Sequence, residues 1–173
     1  MRVAVTLLTS LFVLLGASVS RGEEKELREL FDRFITAQNA HDSEAVADLL
    51  VRSPRFLWIT PDGPVFGHRV VLKWFEAQYR GVWSLKPDRE IFRMLPVRDG
   101  VVQLQVPVEF TTGQPKLHPN TALMTMNQIA VLTPEGWKIA GIWWNRSRSG
   151  VESGITVVDP KGSPRSAAGG SSK

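Results

Sequence analysis

The chain has 173 residues, 43% hydrophobic and 22% charged, the proportions of one globular domain with short extensions. Its net charge of +4 is scattered, with only Arg146 and Arg148 close together near the end, so the basic clusters interleaved with aromatics that nucleic-acid binding needs are missing. Cysteine is absent, which removes disulfides, thiolate catalysis, iron–sulfur clusters and cysteine zinc sites.

Residues 1–20 read as a secretory signal peptide. Arg2 supplies the positive start, Val3 to Leu15 is nearly all apolar, and small residues run from Gly16 to Ser20. Cleavage after Ser18 or Ser20 would leave a small residue at the scissile position. The alternative is a retained anchor, but the apolar run is shorter than the roughly 20 residues of a spanning helix. The expected location is exported, periplasmic or secreted, with no stable membrane association after cleavage.

The mature chain begins with a helix over 23–40, where Leu27, Leu30, Phe31, Phe34 and Ile35 form one apolar stripe. His41-Asp42-Ser43 breaks it, and Asp42 or Ser43 is placed to cap a second helix over 44–50. A strand over 55–60, the turn Pro61-Asp62-Gly63-Pro64 and a return strand over 65–67 make a hairpin. A third helix spans 68–80 and ends at Gly81.

From residue 90 the hydrophobic period becomes two. Strands are expected over 90–95, 101–112, 122–132 and 137–146. Pro107 falls inside the second of these and predicts a bulge or an edge, because proline has no N–H to give a ladder. Residues 148–173 are rich in Ser, Gly, Arg and Pro and read as a disordered tail, with Ile155 to Val158 as a possible edge strand.

The order helix, helix, hairpin, helix, then antiparallel strands resembles the nuclear transport factor 2-like superfamily, in its SnoaL-like branch. The resemblance covers 23–147. It rests on Phe31 and Phe34, on His41-Asp42 where the family usually has Gly-Asp, and on Trp58 with the Pro61-Asp62-Gly63 hairpin. Gly67 before the third helix and Gly136-Trp137-Lys138-Ile139 followed by Trp143-Trp144 complete it. The resemblance implies an α+β fold: a strongly bent antiparallel sheet wrapped around three helices into a cone, with a pocket at its open end and, in many relatives, a homodimer through the outer sheet face.

The superfamily holds enzymes and non-catalytic modules alike, so function has to be argued from the residues. Ketosteroid isomerases in it use a tyrosine, a carboxylate base and a protonated acid. Those positions fall on Phe34, near Thr60, and near Asn127 or Gln128, so that constellation is absent. Two acid–base candidates remain. Glu109 would turn inward if a bulge at Pro107 reversed the strand's parity, and a carboxylate in an apolar cone would have a raised pKa. His68 opens the third helix near the expected cone mouth. His41, in the turn between the first two helices, reads as solvated, and His118 lies in a loop. The histidines lack metal-ligand spacing, and no glycine-rich phosphate loop is present, so neither metal nor cofactor is expected.

By strict alternation Trp137, Ile139, Gly141, Trp143 and Asn145 share one face of the last strand, and Lys138, Ala140, Ile142, Trp144 and Arg146 the other. Phe34, Trp58, Trp74, Met126 and Trp143 are the expected pocket lining, with Asn145 as a polar contact. The leading reading is an exported domain that binds a small apolar or aromatic molecule. The alternatives are an acid–base enzyme of isomerase, dehydratase or hydrolase type using Glu109 or His68, and a non-catalytic dimerisation module.

Overall fold

A computed structural model describes residues 18–60, 63–114 and 118–146. Most of the expected signal peptide and the whole of the expected tail, including Ile155 to Val158, lie outside these residues.

Helix α1 (Arg21–Asn39) starts with a capping box: Ser20 Oγ accepts from the Glu23 amide at 3.3 Å, and the Glu23 carboxylate accepts from the Ser20 amide at 2.9 Å. These bonds hold the Glu23 carboxyl below its usual range. One face of α1 buries Leu27, Leu30, Phe31, Phe34, Ile35 and Gln38. Helix α2 (Ser43–Leu49) is capped by Asp42, which accepts from the Ala45 amide at 2.9 Å. Hairpin β1 (Leu57–Thr60) and β2 (Gly63–Phe66) leads into α3 (His68–Gln78), which buries Val71 and Phe75.

Five more strands follow: β3 (Val82–Pro87), β4 (Arg93–Arg98), β5 (Val101–Gly113), β6 (Asn120–Thr133) and β7 (Gly136–Arg146). The strand expected over 90–95 starts later. Asp88 accepts from the Glu90 amide and winds 89–91 into a short 3-10 turn first. All seven strands join one sheet in the order β2-β1-β7-β6-β5-β3, with β4 also on β5. The sheet is mixed rather than wholly antiparallel, because β1 and β7 run parallel. The helices cover its inner face, and one core fills the space between.

Two details of register decide where side chains point. No bulge occurs at Pro107, and the β5–β6 pairing runs unbroken from Val101↔Val131 to Thr112↔Asn120. The other edge of β5 is shared: β4 pairs with 101–105 and β3 with 108–113. Pro107 sits in the gap between them, where a missing N–H costs no ladder bond, and its carbonyl accepts from the Asp88 amide at 2.8 Å. A bulge lies in β7 instead. Ile129 faces Gly141 while Ala130 faces Ile139, so one extra residue is inserted at Ala140.

Candidate functional site

Where β5 ends, β6 begins and β7 ends, the inner sheet face and α3 enclose an aromatic cleft of about 110 Å³. Five rings surround it, each touching the next in a closed circuit. Trp58 of β1 lies 5.7 Å from Trp74 of α3, which lies 5.8 Å from Trp83 of β3. Trp83 meets Phe110 of β5 at 4.7 Å, Phe110 stacks on Trp144 of β7 at 5.3 Å, and Trp144 returns to Trp58 at 6.1 Å. Such edge and offset contacts add about 0.5–1.5 kcal/mol per pair beyond area burial. Phe75 packs behind Trp58, Trp74 and Trp83. The remaining lining comes from Thr112, Asn120, Ala122, Met124 and Arg146.

Trp83 is positioned from behind by α1 and the turn after it. The Asn39 side chain donates to the Leu85 carbonyl at 2.8 Å and accepts from its amide at 2.7 Å, acting as a partner for the outer edge of β3. His41, held at a positive φ of 56°, donates from Nε2 to the Trp83 carbonyl at 3.1 Å. His41 is therefore engaged with β3 rather than only with solvent. Its ring stacks on Tyr79, whose hydroxyl donates to Gln38 Oε1 at 2.8 Å. Burial pushes the Tyr79 phenol well above its usual range, and the nearby Asp42 charge adds to this.

Of the residues expected in the pocket, Trp58 and Trp74 line the cleft. Phe34 is fully buried in the core, and Met126 is buried opposite Trp144 without lining the cleft. Trp143 and Asn145 lie on the outer face, where they pair with Asn127 and Thr125. The β7 bulge is the cause: it exchanges the two faces beyond Ala140 and brings Trp144 and Arg146 inward. Glu109 keeps the strict alternation of an unbulged strand, so it is exposed on the outer face, 4.0 Å from Lys86. His68 donates from Nε2 to the Ala47 carbonyl at 3.1 Å and ties α3 to α2. It lines a more open surface groove of about 640 Å³ with Pro54 and Phe66, which shares no residue with the cleft. Met124, read from the sequence as adaptable lining beside Met126, does line the cleft; the expected lining left out Trp83, Phe110, Trp144 and Arg146, of which alternation misplaced only the last two. Gly141 was the available signal for the last two, since glycine inside a strand marks a bulge or a close approach.

Among the described residues no three His, Asp or Glu side chains come together to hold a metal ion. The cleft lining contains no carboxylate and no histidine. What it can do chemically is bury a flat apolar body and meet it with the Thr112 hydroxyl, the Asn120 amide and the Arg146 guanidinium.

No family model matches the sequence, and no curated protein matches it. Solved structures do match in shape. A nuclear transport factor 2-like superfamily protein from Salmonella enterica aligns at a TM-score of 0.65 with 18% identity, over 76% of this chain and 96% of that one. A candidate aromatic ring hydroxylase from Novosphingobium aromaticivorans gives 0.67 and 12%, over 76% and 94%. A candidate dehydratase of the same superfamily from Streptomyces avermitilis gives 0.61 and 13%, over 72% and 96%. Identities this low speak for the fold alone, and the chain carries the α+β fold of the nuclear transport factor 2-like superfamily.

Proposed function

We propose that this chain is a small-molecule binding protein whose cleft takes a single-ring aromatic or similarly flat apolar ligand. The closed circuit of five aromatic rings around a cleft of about 110 Å³ carries this reading. That space suits one six-membered ring; typical drug-sized sites measure about 300–1,000 Å³, so a fused multi-ring ligand does not fit inside. Catalysis by Glu109 or His68 gains no support, since neither side chain reaches the cleft.

Titration with a panel of single-ring aromatics tests the proposal. Four tryptophans line the cleft, so binding should change their fluorescence and raise the melting temperature. Trp144→Ala removes one wall and should abolish the response. A panel with no response, or an unchanged response in Trp144→Ala, overturns it.

We also propose that the protein works outside the cytoplasm. The helix cap constrains its processing. Cleavage after Ser18 leaves the Ser20 capping box intact, whereas cleavage after Ser20 removes both of its bonds and sets a positive α-amino group at the helix start. N-terminal sequencing of exported protein reads this directly; a start at Met1 contradicts it.

A further inference from the structure

Besides Thr112 and Asn120, which can both donate and accept, the cleft wall carries two donors without an acceptor. Trp58 and Trp83 are 1% and 4% exposed, and the indole N–H of each has no hydrogen-bond partner among the described residues. A buried unpaired donor costs about 1–3 kcal/mol, and both of these belong to rings of the cleft wall. A third such indole, Trp137, lines a separate depression beside Glu29 and Glu135, so an unpaired indole does not by itself define a site.

The cleft differs in its wall of rings and in the single sign of its charge: Arg146 is the one charged residue of its lining, whereas the Trp137 depression carries charges of both signs. Arg146 lines it, is exposed, and has no ion-pair partner among the described residues. An aromatic box is also the usual cradle for a quaternary ammonium ion. Here a cation would meet the like charge of Arg146 and no carboxylate, and it would leave both indole donors unpaired. An anion reverses each of those terms. A planar ring satisfies the aromatic wall, a carboxylate at the mouth satisfies Arg146 in the forked geometry guanidinium favours, and a second oxygen deeper in can accept from the indoles.

We infer that the ligand is a single-ring aromatic acid carrying a second oxygen acceptor, its carboxylate held by Arg146 and its ring by the five aromatics. The inference rests on the cleft being a ligand site.

Calorimetric titration with four probes of similar size tests it: para-hydroxybenzoate, benzoate, benzyl alcohol and benzylammonium. The expected order is para-hydroxybenzoate tightest, then benzoate, then benzyl alcohol, with benzylammonium weakest. Arg146→Met, at an exposed position where folding should be unaffected, should weaken benzoate by roughly three- to tenfold and leave benzyl alcohol unchanged. Salt should weaken the acids and spare the alcohol.

The failures are separable. If benzyl alcohol binds as well as benzoate, or Arg146→Met weakens both equally, the acid preference is wrong while the ring site stands. If benzylammonium binds best, the cleft is a cation cage and the inference is overturned. If no probe binds, the proposed function falls with it.

Discussion

Tyr79 is the chain's one tyrosine, and its position makes it a built-in reporter. Its ring stacks between His41 and Phe75 and its hydroxyl is bonded to Gln38, so ionising it would put a charge where little solvent reaches. The folded chain therefore keeps the phenol proton past the ordinary value of 10, where the unfolded chain has lost its own. In that window the unfolded state binds fewer protons, so stability is complete below pH 10 and falls as pH rises beyond it. Tyrosinate absorbance of the folded protein should stay absent until well above 10, and Tyr79→Phe should flatten the alkaline loss of stability. Ionisation at the ordinary value would contradict the packing.

At the scale of elements, Gly81 shows how little slack there is where α3 passes into β3. A Cβ added there would collide with the Gly113 carbonyl, and Gly113 in turn faces Pro119 closely. Gly81→Ala should push β3 off the end of β5, costing about 1–3 kcal/mol, and shift Trp83 with it. Chemical denaturation measures the first effect and loss of ligand response the second. A variant with native stability and native binding would show that the contact relaxes without cost.

The same scale explains what could be read from the residues alone. Helix α1 and strand β5 are long and strongly periodic, so Leu27, Phe31 and Phe34, or Val102 to Phe110, declare their buried face. Strand β3 does alternate, with Trp83 and Leu85 buried between exposed neighbours, but six residues that end in a proline give a weak signal. The proline in β5 suggested a bulge or an edge, and Pro107 falls at a local edge, in the handover between β3 and β4; the register shifts lie elsewhere, at Val97 just after Pro96 in β4 and at Ala140 in β7. Because side chains alternate, the displaced residue in β7 exchanged Trp143 for Trp144 and Asn145 for Arg146 in the site. The fold survived the error because each face of β7 still carries enough apolar residues to be covered.

For the molecule as a whole, the outer face of the sheet is unusual for a surface meant only for water. Ile59 and Leu123 are 39% and 48% exposed on the same face as Trp143, beside an Asn127 side chain that is itself buried and accepts from Gln103 and Gln105 at 3.2 and 3.1 Å. We propose that this face meets a second copy of the chain. Light scattering should then show a dimer, and Leu123→Asp should yield a folded monomer. A native protein that is monomeric at every concentration tested would refute the pairing.

The shared edge of β5 bears on how a ligand could reach so enclosed a cleft. Strand β3 is held to the sheet only by its pairs with 108–113, and the gap at Pro107 separates those pairs from the β4 pairs below. Local opening follows such seams, because a segment with few ladder bonds can detach without unfolding its neighbours. If the cleft has to widen, the wall that carries Trp83 is the one to part, along the seam beside Pro107 and against the bonds from Asn39 and His41, while β5, β6 and β7 hold the rest of the cleft in place.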